Sequence, residues 1–238
     1  MRGKYDIVYM VKDDSPNEEL RYSLRSVEKN WPTRGDVWIF GGCPDGIAPD
    51  RFVPVEMILP GKWENTHRLM KIICQTDEIS EDFWFFNDDF FVMQPASEDM
   101  PQMYNKTIPE VIQAVESLDA GARYWTDQLH ILADLFKREG MSCLCYEVHK
   151  PMLINRKKML AVMDRYRNIL FTRSLYGNYY EIGGRDGCDV LVKYAYGAIG
   201  WVTDQGFVST TEDSFANGEI GAYIRERFPE PSRWEVKT

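Results

Sequence analysis

The chain has 238 residues, 44% hydrophobic and 13% aromatic, enough apolar material for one core or for one core carrying a helical insertion. Its formal net charge of −9 argues against a broad non-specific nucleic-acid surface, and no run reaches the roughly 18 apolar residues that a bilayer span needs. The five cysteines (Cys43, Cys74, Cys143, Cys145, Cys188) are irregularly spaced, which fits free thiols in a reducing compartment better than a disulfide framework or a zinc site. Met1-Arg2-Gly3-Lys4 runs straight into a strand-like segment without a signal peptide's apolar stretch, so the expected location is cytoplasmic.

In chain order, Tyr5 to Val11 reads as a strand. Ser15-Pro16-Asn17-Glu18 is a helix start, with Ser15 able to cap, Pro16 suited to the first helical position and Glu18 completing a capping box. Leu20, Leu24 and Val27 then share one helical face. Asp36 to Phe40 is a second strand, and Phe52 to Leu59 a third, short or at an edge because Pro54 lacks a donor. Asn65 or Thr66 caps a helix through about Gln75. The aromatic run Phe83-Trp84-Phe85-Phe86 reads as a strand buried on both faces. This alternation is the signal for an α/β domain around a mostly parallel sheet.

The middle of the chain changes character. Val111, Val115 and Leu118, then Trp125, Leu129, Leu132 and Phe136, form helical stripes. Residues 105–140 therefore read as a helical insertion or lid within a single domain, 1–238. Met141 to Val148 reads as a strand delivering His149. Met159, Met163, Tyr166 and Leu170 mark a further helix, Tyr176 to Gly187 a loop, Val190 to Val202 an ambiguous apolar stretch, and Gly218 to Phe228 a terminal helix stopped before Pro229.

The chemistry concentrates where the aromatic strand ends, at Asn87-Asp88-Asp89. Adjacent carboxylates in an apolar layer need a counter-charge, because an unpaired buried ion is costly. Magnesium-like hard cations take one or two carboxylates together with substrate phosphates. A metal-binding strand end and a plain Asn/Asp turn both satisfy the pattern. Arg21 and Arg25, one helical turn apart, can grip a diphosphate or form a solvated face paired with nearby glutamates. His149, before Lys150-Pro151, suits a general base or a loop hydrogen bond. Asn65 to His67 can bind an anion at a helix start or simply cap it. Ser209 to Ser214 can supply a ligand or a cap.

Four stretches, taken in order, resemble the Stealth family of sugar-phosphate transferases. They are Asp6-Ile7-Val8-Tyr9; Asn17-Glu18-Glu19-Leu20-Arg21-Tyr22-Ser23-Leu24-Arg25-Ser26-Val27-Glu28-Lys29 with the later Phe86-Asn87-Asp88-Asp89-Phe90-Phe91; His149-Lys150-Pro151-Met152-Leu153-Ile154-Asn155-Arg156-Lys157-Lys158-Met159; and Thr211-Glu212-Asp213 with Phe228-Pro229-Glu230-Pro231-Ser232-Arg233-Trp234-Glu235. The resemblance implies a nucleotide-diphospho-sugar fold of the A-type glycosyltransferase kind, with helices on both faces of the sheet, and a UDP-sugar-like donor. It implies Mg2+ or Mn2+ held by Asp88 and Asp89. Arg21 and Arg25 would lie near the donor phosphates, with Asn65 and Asn87 also on the substrate. His149, Asp89, Arg173 and Asp213 would form the catalytic set. The acceptor is a hydroxyl compound, a glycan or polyol ahead of DNA. A phage-type transferase for hydroxymethylated DNA bases would need a basic groove, for which Lys150, Arg156, Lys157 and Lys158 are the best cluster. A non-catalytic sugar-nucleotide or glycan-binding module is the alternative of a different class.

Overall fold

The structure is a computed structural model and describes residues 5–12, 16–118, 123–194, 200 and 206–236. Its centre is a five-stranded sheet in the order β3-β2-β1-β4-β7, formed by β1 (Asp6–Val11), β2 (Val37–Gly41), β3 (Arg51–Pro54), β4 (Asp82–Asn87) and β7 (Met152–Asn155). The first four strands are parallel, and β7 runs antiparallel to β4. A three-stranded sheet, β5-β10-β9, joins Phe90–Val92, Phe207–Thr210 and Leu191–Val192. A ribbon pairs β6 (Met103–Tyr104) with β8 (Arg185–Asp186).

Period-2 side-chain alternation sorts the aromatic strand onto two cores. Trp84 and Phe86 face α1 (Glu18–Asn30) with Ile7, Tyr9, Leu24 and Trp31, while Phe83 and Phe85 face the opposite layer. That layer contains α2 (Lys62–Gln75), α3 (Ile108–Leu118), α4 (Arg123–Glu139), α5 (Arg156–Arg165) and α6 (Thr172–Tyr179). Ile108, Val111, Leu129, Leu132 and Phe136 are all buried there, so the helices of the 105–140 stretch are packed on the main core. A third cluster unites Phe91 and Val208 with α7 (Glu212–Asn217) and α8 (Glu219–Arg227).

Asp6, on the first strand, serves the end of the sheet remote from the aspartate pair. Its carboxylate accepts from the Asp36 and Ser80 amides, each at 2.9 Å, and from the Trp38 indole at 3.2 Å. It therefore ties β1, β2 and the approach to β4 together, as a buried carboxylate must be satisfied by donors.

Several elements depart from the sequence reading. Asn17, not Ser15, caps α1, accepting from the Leu20 amide at 2.8 Å; Ser15 lies outside the described residues. Helix α2 begins at Lys62, and Asn65 lies within it, with its side chain folded back on the preceding loop. No strand forms over 141–148. There the backbone meets residues 105–108 on one edge through a single antiparallel bridge, Thr107 to Leu144, and is held on the other edge by side chains of α6: Asn178 bonds both the amide and the carbonyl of Leu144 at 2.8 Å, and Ser174 accepts from the Tyr146 amide. Those side chains do the work of a strand partner. Helix α6 runs into the stretch expected to be loop because Gly177 admits the Tyr146 ring; a Cβ there would lie 2.4 Å from it. Within 190–202, Leu191–Val192 is strand, and 195–199 and 201–202 lie outside the described residues.

The segment 229–236 straps α1. Glu235 accepts from Arg25 Nε and Nη2 at 2.7 Å each and from Arg21 Nη1 at 3.1 Å. Burial pushes its carboxyl up, but the hydrogen bonds from Arg25, the Ser232 amide and Arg21 outweigh that and bring it down to about 2. A depressed carboxyl contributes stability above its unfolded value that is lost as pH falls through the folded value. Glu235→Ala should therefore destabilise the protein at pH 7 by about 2–3 kcal/mol, because it strands a nearly buried guanidinium. The gap to wild type in denaturant melts should close as pH falls from about 4.5 to 2.

Candidate active site

Parallel sheets place ligands at the carboxyl ends of the strands where successive connections diverge. Here the divergence lies between β1 and β4, since β2 and β3 lie on one side of β1 and β4 on the other. A cleft of about 690 Å³ opens at this point. Met10 and Val11 from β1, Asn87 from β4 and the Asp88-Asp89 turn line it, with Glu147, His149, Arg173, Thr210 and Glu212. A smaller hollow of about 370 Å³ lies at the strands' amino ends, where Arg51 pairs with Asp36 at 3.7 Å.

The turn is held from both sides. Asn17 Nδ2 donates to Asp88 Oδ2 at 2.5 Å, and Ser209 Oγ donates to Asp89 Oδ2 at 2.6 Å. Beyond the turn, α1 satisfies the free edge of β5. Ser23 Oγ donates to the Phe90 carbonyl, Ser26 Oγ accepts from the Val92 amide at 2.9 Å, and Asn30 Nδ2 donates to the Val92 carbonyl at 2.6 Å. Glu19, in the first turn of α1, accepts from Thr210 Oγ1.

All these donors are neutral. Burial, and then the charge of Asp89, push Asp88 up to about 6 against the opposing Asn17 hydrogen bond. Burial also raises Asp89. Glu19 rises to about 7 through burial and the charges of Asp89, Asp88 and Glu212. Among the described residues Asp88 and Asp89 form no ion pair with lysine or arginine, and Lys62 lowers both only slightly.

On the other side, His149 Nδ1 lies 2.8 Å from Asp189 Oδ2, and the His149 amide donates to Asp189 Oδ1 at 2.9 Å. Burial pushes Asp189 up, but its hydrogen bonds with His149 outweigh this and hold it below the ordinary carboxylate range. Nδ1 is thus tied to a carboxylate, and Nε2 is the ring atom left for other chemistry. Arg173 is fixed by Glu147 at 3.3 Å and by the Val148 carbonyl at 2.6 Å.

Of the residues named from sequence, Asn87, Asp88, Asp89, His149, Arg173 and Asn65 line one cleft. Asn65 is occupied there, accepting from the Leu59 amide and donating to the Leu59 and Gly61 carbonyls. Arg21 and Arg25 do not line the cleft, because Glu235 holds both on the outer side of α1. Asp213 is exposed on α7 and accepts from Asn217; its neighbour Glu212 lines the cleft instead. The proposed basic groove does not form. Lys150 is buried, Arg156 pairs with Asp77 at 2.7 Å, and Lys157 pairs with Glu81 at 2.6 Å. Sequence reading missed Glu19 and Asp189. Glu19 looks like an ordinary first-turn helix acid, and Asp189 sits 40 residues from its partner.

No protein-family model matches the chain, and no curated protein sequence matches it. The Stealth resemblance therefore rests on its motifs alone. Among solved structures, the chain is similar to the apo-form glycosyltransferase GlyE of Streptococcus pneumoniae TIGR4, at 11% identity and TM-score 0.44 over 95% of this chain and 60% of that one. It is similar to the galactosyltransferase LgtC in complex with donor and acceptor sugar analogs, at 14% identity and TM-score 0.44 over 72% and 69%. An active-site mutant of LgtC gives 12% identity and TM-score 0.47 over 96% and 98%. The chain spans 60% of the GlyE chain's length. Likenesses this distant carry no residue roles across.

Whether the acidic pair suits a cation is a question of donor chemistry. Two adjacent hard oxygen donors, raised mainly by burial that the nearby Lys62 and His149 do not offset, fit a magnesium-like ion that completes its shell with water and phosphate. Among the described residues no set of three or more His, Cys, Asp or Glu side chains is arranged to hold a metal, so the protein's share would be the pair. A raised carboxyl contributes stability below its unfolded value that is lost as pH rises through the folded value. Without a cation, Asp88 should therefore cost stability above about pH 6. Millimolar MnCl2 should raise Tm at pH 7.5 and have little effect at pH 5. Asp88→Asn should raise the metal-free Tm at pH 7.5 and remove the Mn2+ response.

Proposed function

We propose that the protein is a transferase that takes a sugar, or a sugar-1-phosphate, from a nucleotide-diphosphate sugar to an acceptor hydroxyl. One observation carries this reading: a cleft at the sheet's switch point contains both an uncompensated carboxylate pair and a carboxylate-oriented histidine. The first half of that arrangement suits a cation-bound diphosphate, and the second a proton transfer. A UDP-sugar is the donor suggested by the motif resemblance.

Asp88 and Asp89 would hold Mg2+ or Mn2+. When bound, such an ion neutralises the diphosphate and its leaving charge. The chain's own groups do the rest. Asp189 holds His149 by Nδ1, so that Nε2 accepts the acceptor hydroxyl's proton. Arg173, fixed by Glu147 and the Val148 carbonyl, offers its remaining N–H groups to charge developing on phosphate oxygens. The new bond joins the acceptor oxygen either to the anomeric carbon or to the sugar-bearing phosphorus. The first route breaks the anomeric carbon–oxygen bond and releases nucleoside diphosphate. The second breaks the bridging P–O bond and releases nucleoside monophosphate.

Incubation with UDP-glucose or UDP-N-acetylglucosamine, Mn2+ and a hydroxyl acceptor should release UDP or UMP, and the product identifies the route. Binding without release would favour the non-catalytic module. Asp189→Asn should lower turnover about 10²–10⁴-fold, because the histidine loses its orienting carboxylate. UDP affinity in the presence of Mn2+ should stay within about threefold of wild type; unchanged turnover would remove His149 from the base role.

A further inference from the structure

The cleft has two chemically different parts. Glu19, Asp88, Asp89 and Glu212 make one acidic, while Met57, Trp63, Leu69, Met70, Leu170 and Phe171 make the other apolar. The apolar wall is braced, since Trp63 packs edgewise on Phe171 at 5.0 Å and Trp125 of α4 backs Phe171 at 6.2 Å.

The loop between β3 and α2 places two exposed aliphatic residues next in sequence to the wall's Met57. Met57 lines the cleft, while the next two residues, Ile58 and Leu59, are 62% and 38% exposed. The backbone that carries these side chains is held rather than loose. Asn65 accepts from the Leu59 amide at 3.1 Å and donates to the Leu59 and Gly61 carbonyls at 2.6 and 2.8 Å. Arg68 donates to the Glu56 carbonyl at 2.9 Å. Exposed aliphatic residues on a loop pinned by four hydrogen bonds form a prepaid surface, since little further ordering is needed for contact. A nucleotide-diphosphate sugar offers one flat apolar face, its base, and has no aliphatic chain to cover Ile58 and Leu59.

We infer that the acceptor is amphiphilic, with its hydroxyl-bearing head in the cleft and a hydrocarbon chain lying along Met57, Trp63 and Phe171 and out over Ile58 and Leu59. The acceptor role rests on the transferase reading; the hydrocarbon-binding surface can be tested without it. In this reading the hydrocarbon is continuous with the substrate head and leaves the cleft past Met57, meeting Ile58 and Leu59 as the next residues of the loop.

The test compares n-octyl β-D-glucopyranoside, kept below its critical micelle concentration, with methyl β-D-glucopyranoside by titration calorimetry. Burial of a methylene strengthens binding roughly fourfold, so partial burial of the chain should make the octyl glycoside at least about tenfold tighter. Ile58→Ser combined with Leu59→Ser, a change confined to exposed side chains, should cut that advantage at least about fourfold, the worth of one methylene, and leave UDP affinity with Mn2+ unaltered. An octyl glycoside that binds no more tightly than the methyl one, or an advantage that the double change leaves undiminished, overturns the inference. Failure of wild-type protein to bind UDP with Mn2+ would instead remove the transferase reading, and the octyl comparison would still decide the surface.

Discussion

The hydrogen-bonded seam between α1 and β5 is the constraint from which the site follows. An α-helix normally buries an apolar face, yet the buried face of α1 carries Ser23, Ser26 and Asn30 beside Leu20, Leu24 and Val27. These three polar side chains saturate the β5 edge that β10 does not pair. Buried backbone groups must find partners, so β5 can lie only where α1 reaches it. The chain must then turn sharply between Asn87 and Phe90, and the turn residues are Asp88 and Asp89.

That geometry explains why two carboxylates remain half-buried without cations. Their positions are dictated by strand β4 on one side and the seam on the other, not by their own interactions. The neutral donors Asn17 and Ser209 orient the pair without discharging it. The outcome is a concentrated negative charge bounded by apolar walls, a medium in which each charge is felt strongly by the next. Glu19 shares the same field from α1, which is why it too is raised. The arginines of α1 could have neutralised this charge, but they point the other way, where Glu235 satisfies them. Separation of the cationic and anionic groups across one helix keeps the cleft acidic.

Legibility in the sequence followed how local each signal was. Four aromatics followed by an amide and two acids describe a buried strand and its exit within seven residues, and β4 and the cleft agree with that reading. The i, i+3, i+4 stripes similarly announced α1, α3 and α4. Arg21 and Arg25 were misplaced because a helical face can be read from spacing, but what it meets cannot; their partner is more than 200 residues away. Residues 141–148 looked like a strand because they are apolar and buried. Their backbone meets residues 105–108 in a single bridge on one edge and side chains of α6 on the other, which no period-2 pattern reveals. Lys150, Arg156, Lys157 and Lys158 are the best cluster for a basic groove, but in the fold Lys150 is buried and Asp77 and Glu81 take Arg156 and Lys157.

By itself, the sequence determined the class of fold and the strand end that carries the acidic pair, since both depend on contacts between near neighbours and on side-chain periodicity. Only the tertiary structure decided which distant groups complete the cleft. Asp189 reaches His149, Thr210 reaches Glu19, and Glu235 removes two arginines from contention, each through a contact spanning tens to hundreds of residues. Such pairings are set by how whole layers stack, and a single chain of letters records the groups that can pair without recording which of them meet.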